Sequence, residues 1–405
     1  LLQYAPEKEV LLKTAGGIRE YRKMETGKIS ISLRKKIALC AVSIVFMYAT
    51  GEIAVRCLRL PERLPASPPK AGPQFAWATY NPAVGWINTP GFSGRHVRTN
   101  MFDVSVKINS GGLRNDREYG YERKPGVFRA VVLGDSFTFG HGVDNDKTYA
   151  ADLESMIPES EVLNAGVQGW GHDQQLLWLK EEGLKYRPDL IIWGFSSADI
   201  PRNVNIFRRL SDLTTGLDYA KPRYIVKDGK LELTNFPAPP PGDMDRLIAN
   251  YLGTERAKRS LFNRIMRHSR FFTAIDDAID TLAEKKEQVV LAEAIVREFA
   301  LTAKKAGIPL VIVHLPVRKW LESMSPIVTA KRKTTEGLLV RVSAETGAPV
   351  LDLRTAFLAK GRNEIGSYFI KDGHYSEAGN KLVAEELHNY IKRTLPAAIT
   401  PPEPK

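Results

Sequence analysis

Cysteine is nearly absent: Cys40 and Cys57 are the only two in 405 residues. Two cysteines cannot staple a disulfide scaffold, and no Cys-x-x-Cys pair exists to hold zinc. Each also lacks the small preceding residue of a lipoprotein signal, since Leu39 and Arg56 stand before them. There is no P-loop, no His-Glu-x-x-His and no plausible dinucleotide-binding fingerprint. The sequence therefore predicts no metal and no nucleotide cofactor. No internal repeat is present, which excludes solenoids and propellers. Acidic residues are in deficit: 58 Lys and Arg face 46 Asp and Glu, a net of +12. That excess suits an anionic surface, but it is not by itself a nucleic-acid footprint, and no nucleic-acid partner is expected.

Long apolar runs are also missing. The longest uncharged one near the N-terminus, residues 37–50, follows Arg34, Lys35 and Lys36. Its 14 residues span about 21 Å as a helix, short of the roughly 30 Å of a bilayer core. Extending it to residue 55 brings it to about 28 Å but takes in Glu52, which can snorkel to the outer interface. A signal anchor over 37–55 is the favoured reading. A cleaved signal peptide with a site at Ala49-x-Gly51 is the second, and a buried core helix the third. In the first two, the basic cluster stays inside and everything after residue 60 is exported. The expectation is a single-pass membrane protein with one N-terminal helix in the membrane and its main domain outside the cytoplasm. Residues 1–36 form the basic cytoplasmic end. Of these, 1–23 read as an upstream extension before Met24, which opens a stretch resembling a true start.

Five prolines between 61 and 73 predict a stiff tether over 56–74. Alternating segments and Gly/Asn/Pro turns predict a small β-rich lead-in over 75–126. From residue 127 short apolar runs alternate with longer helical stretches. The runs at 129–133, 161–164, 190–195, 310–315 and 350–353 read as strands. The stretches at 147–156, 173–185, 286–306, 327–346 and 376–392 read as helices. Such alternation predicts an α/β fold over 127–394: a three-layer α/β/α sandwich around a mostly parallel, five-stranded, flavodoxin-like sheet. An insert, 201–285, interrupts it after the third strand. It carries a hairpin over 223–234 turning at Asp228 and Gly229, then a basic helical stretch over 256–270. The proline-rich tail, 395–405, is expected to be disordered.

The first strand runs into VVLGDSFTFG (131–140). A serine just past the carboxyl end of a parallel strand lies where open α/β sheets bind ligands, although serine is also a common helix cap. KDGHYSEAGN (371–380), before the last helix, decides between these readings. A carboxylate two residues ahead of a loop histidine can orient that imidazole as a base towards a serine hydroxyl.

These two segments give the chain a resemblance to the Gly-Asp-Ser-(Leu), or SGNH, hydrolases over roughly 127–392. Gly134, Asp135, Ser136 and Phe137 resemble that family's first block, with Phe for Leu. Asn164 to Gly169, NAGVQG, resembles the second. Asp372, Gly373 and His374 resemble the last, with one residue fewer between acid and base. The resemblance implies Ser136 as nucleophile, His374 as base and Asp372 as its orienter, with Asp352 a weaker stand-in. It also implies an oxyanion hole from the N–H groups of Ser136 and Gly169. The third block departs from the family: in GFSSAD (194–199), Ala198 stands where the family has an oxyanion-binding Asn. Either Ser196, Ser197 or Asn203 substitutes, or the reaction differs, or the protein is catalytically weak. Asp135 and Asp199 are expected to brace loops. His141 and His172 are expected to face solvent or touch substrate. Trp170 could stack on sugar, while Trp193 and His314 are expected in the core.

The functions implied are, in order, an exported esterase, an O-acetyltransferase of the same fold and a non-catalytic polysaccharide-binding or assembly protein. The esterase would take an acylated small molecule or an O-acetylated envelope polysaccharide.

Overall fold

The computed structural model describes residues 77–209, 218–250, 270–324 and 326–396, and ten positions between Cys40 and Ile53. The basic end at 1–36, the tether at 56–74, Cys57, the helical stretch expected over 256–270 except Arg270, and tail residues 397–405 lie outside the described residues. Two compact units divide the chain: 1–62 with 266–275, and 63–265 with 276–405. In the first, the described positions near Cys40 are helical, and the Thr50 hydroxyl donates back to the Phe46 carbonyl at 2.8 Å. Among the described residues no helix is long and apolar enough to cross a membrane.

The second unit opens with two antiparallel pairs: β1 (Ala78–Asn81) with β2 (Gly85–Asn88), and β3 (Ser93–Arg98) with β4 (Phe102–Lys107). Five parallel strands follow: β5 (Phe128–Gly134), β6 (Ser160–Gly166), β7 (Leu190–Phe195), β12 (Leu310–His314) and β13 (Val350–Asp352). Between β7 and β12 the insert carries β8 (Phe207–Arg209), β9 (Asp218–Ala220), β10 (Arg223–Lys227) and β11 (Lys230–Thr234). The parallel strands stand in the order β13-β12-β7-β5-β6. The order reverses at β5, so ligands are expected past its carboxyl end.

Helices cover both faces, which is why the strands read as continuous apolar runs. One face of β5, Val131 and Leu133, packs with Leu163, Ile191 and Trp193. It is covered by α3 (His172–Glu181), α4 (Arg270–Ala306) and α6 (Pro326–Thr346) through Leu176, Leu291, Ile295, Phe299 and Leu338. The other face, Ala130 and Val132, packs under α2 (Tyr149–Met156), α7 (Arg354–Ala359) and α8 (Glu377–Thr394) through Leu153, Phe357, Leu382 and Leu387. The fold is thus the expected three-layer sandwich.

All five expected strands are found within two residues of their predicted ends. The expected helix at 286–306 begins earlier, at Arg270, because nothing between 270 and 285 breaks a helix: there is no Gly and no Pro. Two short helices, α5 (Arg318–Glu322) and α7, went unpredicted because one turn carries no periodic signal. The insert hairpin pairs β10 with β11 and turns at Asp228 and Gly229, both at positive φ, as the sequence predicted.

The lead-in hairpins belong to the same compact unit as the sheet. Trp86 donates its indole N–H to the Gln168 carbonyl at 3.0 Å, and Trp170 donates back to the Trp86 carbonyl at 2.8 Å. Buried Arg114 donates to the Phe139 carbonyl at 2.7 Å and the Val143 carbonyl at 2.6 Å. It therefore ties the lead-in to the loop that follows Ser136.

Candidate active site

Ser136 opens α1 (Ser136–Phe139), a single helical turn leaving the carboxyl end of β5. Asp135 caps that turn: its carboxylate accepts from the Phe137 N–H at 2.9 Å. Asn164 on β6 pins it from the side, donating to the Thr138 carbonyl at 3.0 Å. The serine is therefore held by backbone geometry rather than by its own side chain. Its Oγ lies 2.8 Å from His374 Nε2.

His374 lies on the loop before α8. Its Nδ1 is 2.9 Å from Asp372 Oδ1, which also accepts the His374 backbone N–H at 3.1 Å. Gly373, at φ +93°, gives the reason the shortened acid–base spacing works. Left-handed backbone, which suits glycine, folds the three residues tightly enough for one carboxylate oxygen to serve both nitrogens. Burial pushes the Asp372 carboxyl up, but the bonds from His141 and His374 outweigh it and hold the group well below the usual carboxylate range. Asp372 is thus ionised at neutral pH. Asp352 does not serve as stand-in: it faces His314 Nδ1 at 3.1 Å and accepts from Arg354 Nε at 2.9 Å.

Gly169 follows β6 in the turn Val167–Trp170, closed by the Trp170 N–H on the Val167 carbonyl at 3.3 Å. Its φ of +84° is what the third residue of a type II turn requires. Its carbonyl accepts from Arg208 at 2.8 Å.

At the third block the structure narrows the substitutes for the missing Asn. Ser196 is buried, and its hydroxyl caps the next turn by accepting the Ala198 N–H at 3.3 Å. Asn203 is buried against His172 Nδ1 at 3.3 Å. Ser197 is half-buried and Ala198 exposed. Asp135 and Asp199 brace the loops as expected. Both pair with Arg202, whose guanidinium also donates to the Trp170 carbonyl at 2.9 Å. Burial raises both carboxyls. At Asp135 the Arg202 charge and the Phe137 N–H reverse that and lower it, whereas Asp199, beside the Asp135 charge, stays well above the usual range.

Three sequence expectations are corrected. His141 is buried, with Nε2 3.1 Å from Asp372 Oδ2 and Nδ1 2.8 Å from Gln168 Oε1. His172 is buried too: it stacks on Phe195 with ring centroids 4.3 Å apart, and burial pushes its imidazole down to about 3. Neither ring faces solvent, because the lead-in and the third-block turn close over them. Trp170 is fully buried, so it offers no sugar platform. Trp193 and His314 lie in the core as expected, with Trp193 stacked on Phe299 at 3.9 Å. Sequence reasoning missed Gln168 and Arg98, whose guanidinium is 3.6 Å from Asp372 Oδ2.

Among the described residues, His141, Asp372 and His374 offer ligand atoms within 4.8 Å of one another. Their mutual contacts are hydrogen bonds of 2.9 and 3.1 Å. The arrangement they make is a line of hydrogen bonds ending on the Ser136 hydroxyl, able to take a proton from it.

Parallel strands between two helical layers, with a serine, a histidine and an aspartate in hydrogen-bonded line at their carboxyl ends, define the class. The family follows: the model of the GDSL-like Lipase/Acylhydrolase family matches residues 132–382, and the chain belongs to that family. No curated protein matches the chain. Similar solved structures include a lipase/acylhydrolase from Enterococcus faecalis, with 17% identity over 69% of this chain and 100% of that one, TM-score 0.37. An acetyl-xylooligosaccharide esterase from Geobacillus Stearmophilus has 14% identity over 66% and 96%, TM-score 0.39. An acetyl xylan esterase has 12% identity over 65% and 100%, TM-score 0.38. At these identities and TM-scores the likeness fixes no residue and no substrate.

Proposed function

We propose that the chain is an exported serine esterase acting on a small acyl ester, an O-acetyl group of a cell-envelope polysaccharide being the substrate we favour. The observation that carries the reading is the 2.8 Å contact between Ser136 Oγ and His374 Nε2, backed by Asp372. His374 takes the hydroxyl proton as Ser136 Oγ bonds to the ester carbonyl carbon. The N–H groups of Ser136 and Gly169 face the oxyanion. As the acyl–oxygen bond breaks, His374 passes the proton to the leaving alkoxide, which departs as an alcohol. Water, deprotonated by the same imidazole, then releases the acid and restores Ser136.

The test is incubation with p-nitrophenyl acetate, with and without an oligosaccharide acceptor. Release of p-nitrophenol without acceptor supports the esterase. Acetylated acceptor, with little release in its absence, would replace it by an O-acetyltransferase. The Ala198 departure from an oxyanion-binding Asn is compatible with that second reading, and the absence of both products would sink both.

Ala198→Asn tests the same point. In an esterase working with an incomplete oxyanion hole, the new amide should raise kcat by about 10²–10³, with KM little changed, because the donor acts on charge that grows in the transition state. Unchanged turnover in a folded variant would place position 198 away from the oxyanion.

Export is proposed on the basic cluster followed by the apolar segment at 37–55, which would hold the chain to the membrane. An export-dependent reporter fused after residue 405 should be active and a cytoplasm-restricted one silent. The reverse would overturn the topology.

A further inference from the structure

Asp372 has two carboxylate oxygens, and a different histidine holds each. Oδ1 serves His374, while Oδ2 lies 3.1 Å from His141 Nε2. The two imidazoles lie against each other, ring centroids 4.3 Å apart. His141 is not a distant neighbour of the chemistry: it sits on the loop leaving Ser136, and its backbone N–H donates to the Ser136 carbonyl at 3.0 Å. Its other ring nitrogen reaches Gln168, the residue before Gly169. One residue therefore links the acid, through Nε2, the nucleophile loop, through its backbone, and the oxyanion loop, through Nδ1.

The protons on this line can be assigned. Asp372 is ionised, so Nε2 of His141 must carry the hydrogen that the carboxylate accepts. Burial pushes the His141 imidazole down, against the pull of Asp372, so the ring is neutral and Nδ1 is left as an acceptor. An acceptor cannot face the Gln168 carbonyl oxygen at 2.8 Å. It needs the amide N–H₂ there instead, and Gln168 Nε2 is a buried donor with no partner among the described residues. Exchanging the O and N of that amide removes the acceptor–acceptor clash and the orphaned donor together.

We propose that His141 is a positioning residue for the hydrolytic reaction: it donates to Asp372 Oδ2, accepts from the Gln168 amide, and so fixes the carboxylate that orients His374. The proposal rests on the Ser136–His374–Asp372 reading above. The groups facing His141 are Asp372 and His374 from the loop before α8, Gln168 after β6, and His96 and Phe102 from the lead-in. Arg98 stands beyond Asp372 Oδ2. Burial pushes the His96 imidazole down to about 2, so His96 brings no positive charge. The charges acting there are therefore Asp372, Arg98 and whatever proton His374 carries.

The test compares kcat, KM and the pH profile of kcat/KM on p-nitrophenyl acetate for the parent, His141→Leu, His141→Gln and Gln168→Glu, with Ser136→Ala alongside. Leu removes the donor: kcat should fall by about 10²-fold, the size of an ångström-scale misplacement, with KM unchanged. The acid limb should also move to higher pH, because Asp372 then turns more of its charge on the His374 imidazolium. Gln keeps an N–H for Asp372 and should recover most of kcat. Gln168→Glu keeps the shape but has no amide hydrogen to give. His141 must then take a proton, and the acid limb should move to lower pH. Should His141→Leu fail to fold, Gln168→Glu still decides the question. Profiles that overlay the parent's in both variants, or Leu and Gln equally slow on the parent's profile, would overturn the positioning role. Full activity in Ser136→Ala would instead overturn the hydrolytic reading, and the proposal with it.

Discussion

Ser136→Ala should lower kcat on p-nitrophenyl acetate by on the order of 10⁶, the loss that follows when a serine hydrolase loses its nucleophile. The fold should survive. The turn carrying Ser136 is held by Asp135, Asn164 and Arg114 through the backbone of residues 137–139, and none of those bonds uses the serine hydroxyl. Melting temperature measured beside activity separates the two effects. A cooperative melt near the parent's with turnover lost is the expected pair. Turnover within tenfold of the parent would place the chemistry elsewhere.

Asp372→Asn should cost about 10⁴ in kcat. An amide has roughly the carboxylate's shape, but it presents an N–H₂ to at least one of the two imidazoles that now donate to Asp372. If that imidazole is His374, it must turn its lone pair to the amide and its hydrogen towards Ser136, the wrong tautomer for a base. Asp352→Asn is the matched control. Asp352 is committed to His314 and Arg354, so its variant should keep kcat within a few-fold. If the Asp352 variant fell and the Asp372 variant did not, the acid of the site would have been misassigned.

Much of this was legible because it is written locally. A strand covered on both faces reads as an unbroken apolar run, and β5 (AVVL), β7 (LIIW) and β12 (LVIV) show one openly. Ser136 and His374 stand in short segments whose glycines and acids mark a strand end and a helix start. The rest depends on parts of the chain that meet only after folding. His141 reads as a surface histidine because nothing near it in sequence shows that Phe102 and His96 will close over it. Arg114, which the sequence does not single out, is buried and spends its donors on carbonyls of the nucleophile loop. Its only sequence signal would have been the loop's own lack of partners. Between Asp372 and its weaker stand-in Asp352, the fold sides with Asp372, which the left-handed backbone of Gly373 brings onto His374.

The nucleophile and its base touch at 2.8 Å, yet 238 positions separate them along the chain. At about 5–20 residues per second, a ribosome needs roughly 12–48 s to get from one to the other. Until His374 emerges, a nascent or truncated chain carries Ser136 without the imidazole that faces it, and His141 without the Asp372 carboxylate. On the proposed mechanism, a chain that stops short of His374 should therefore be inert towards esters.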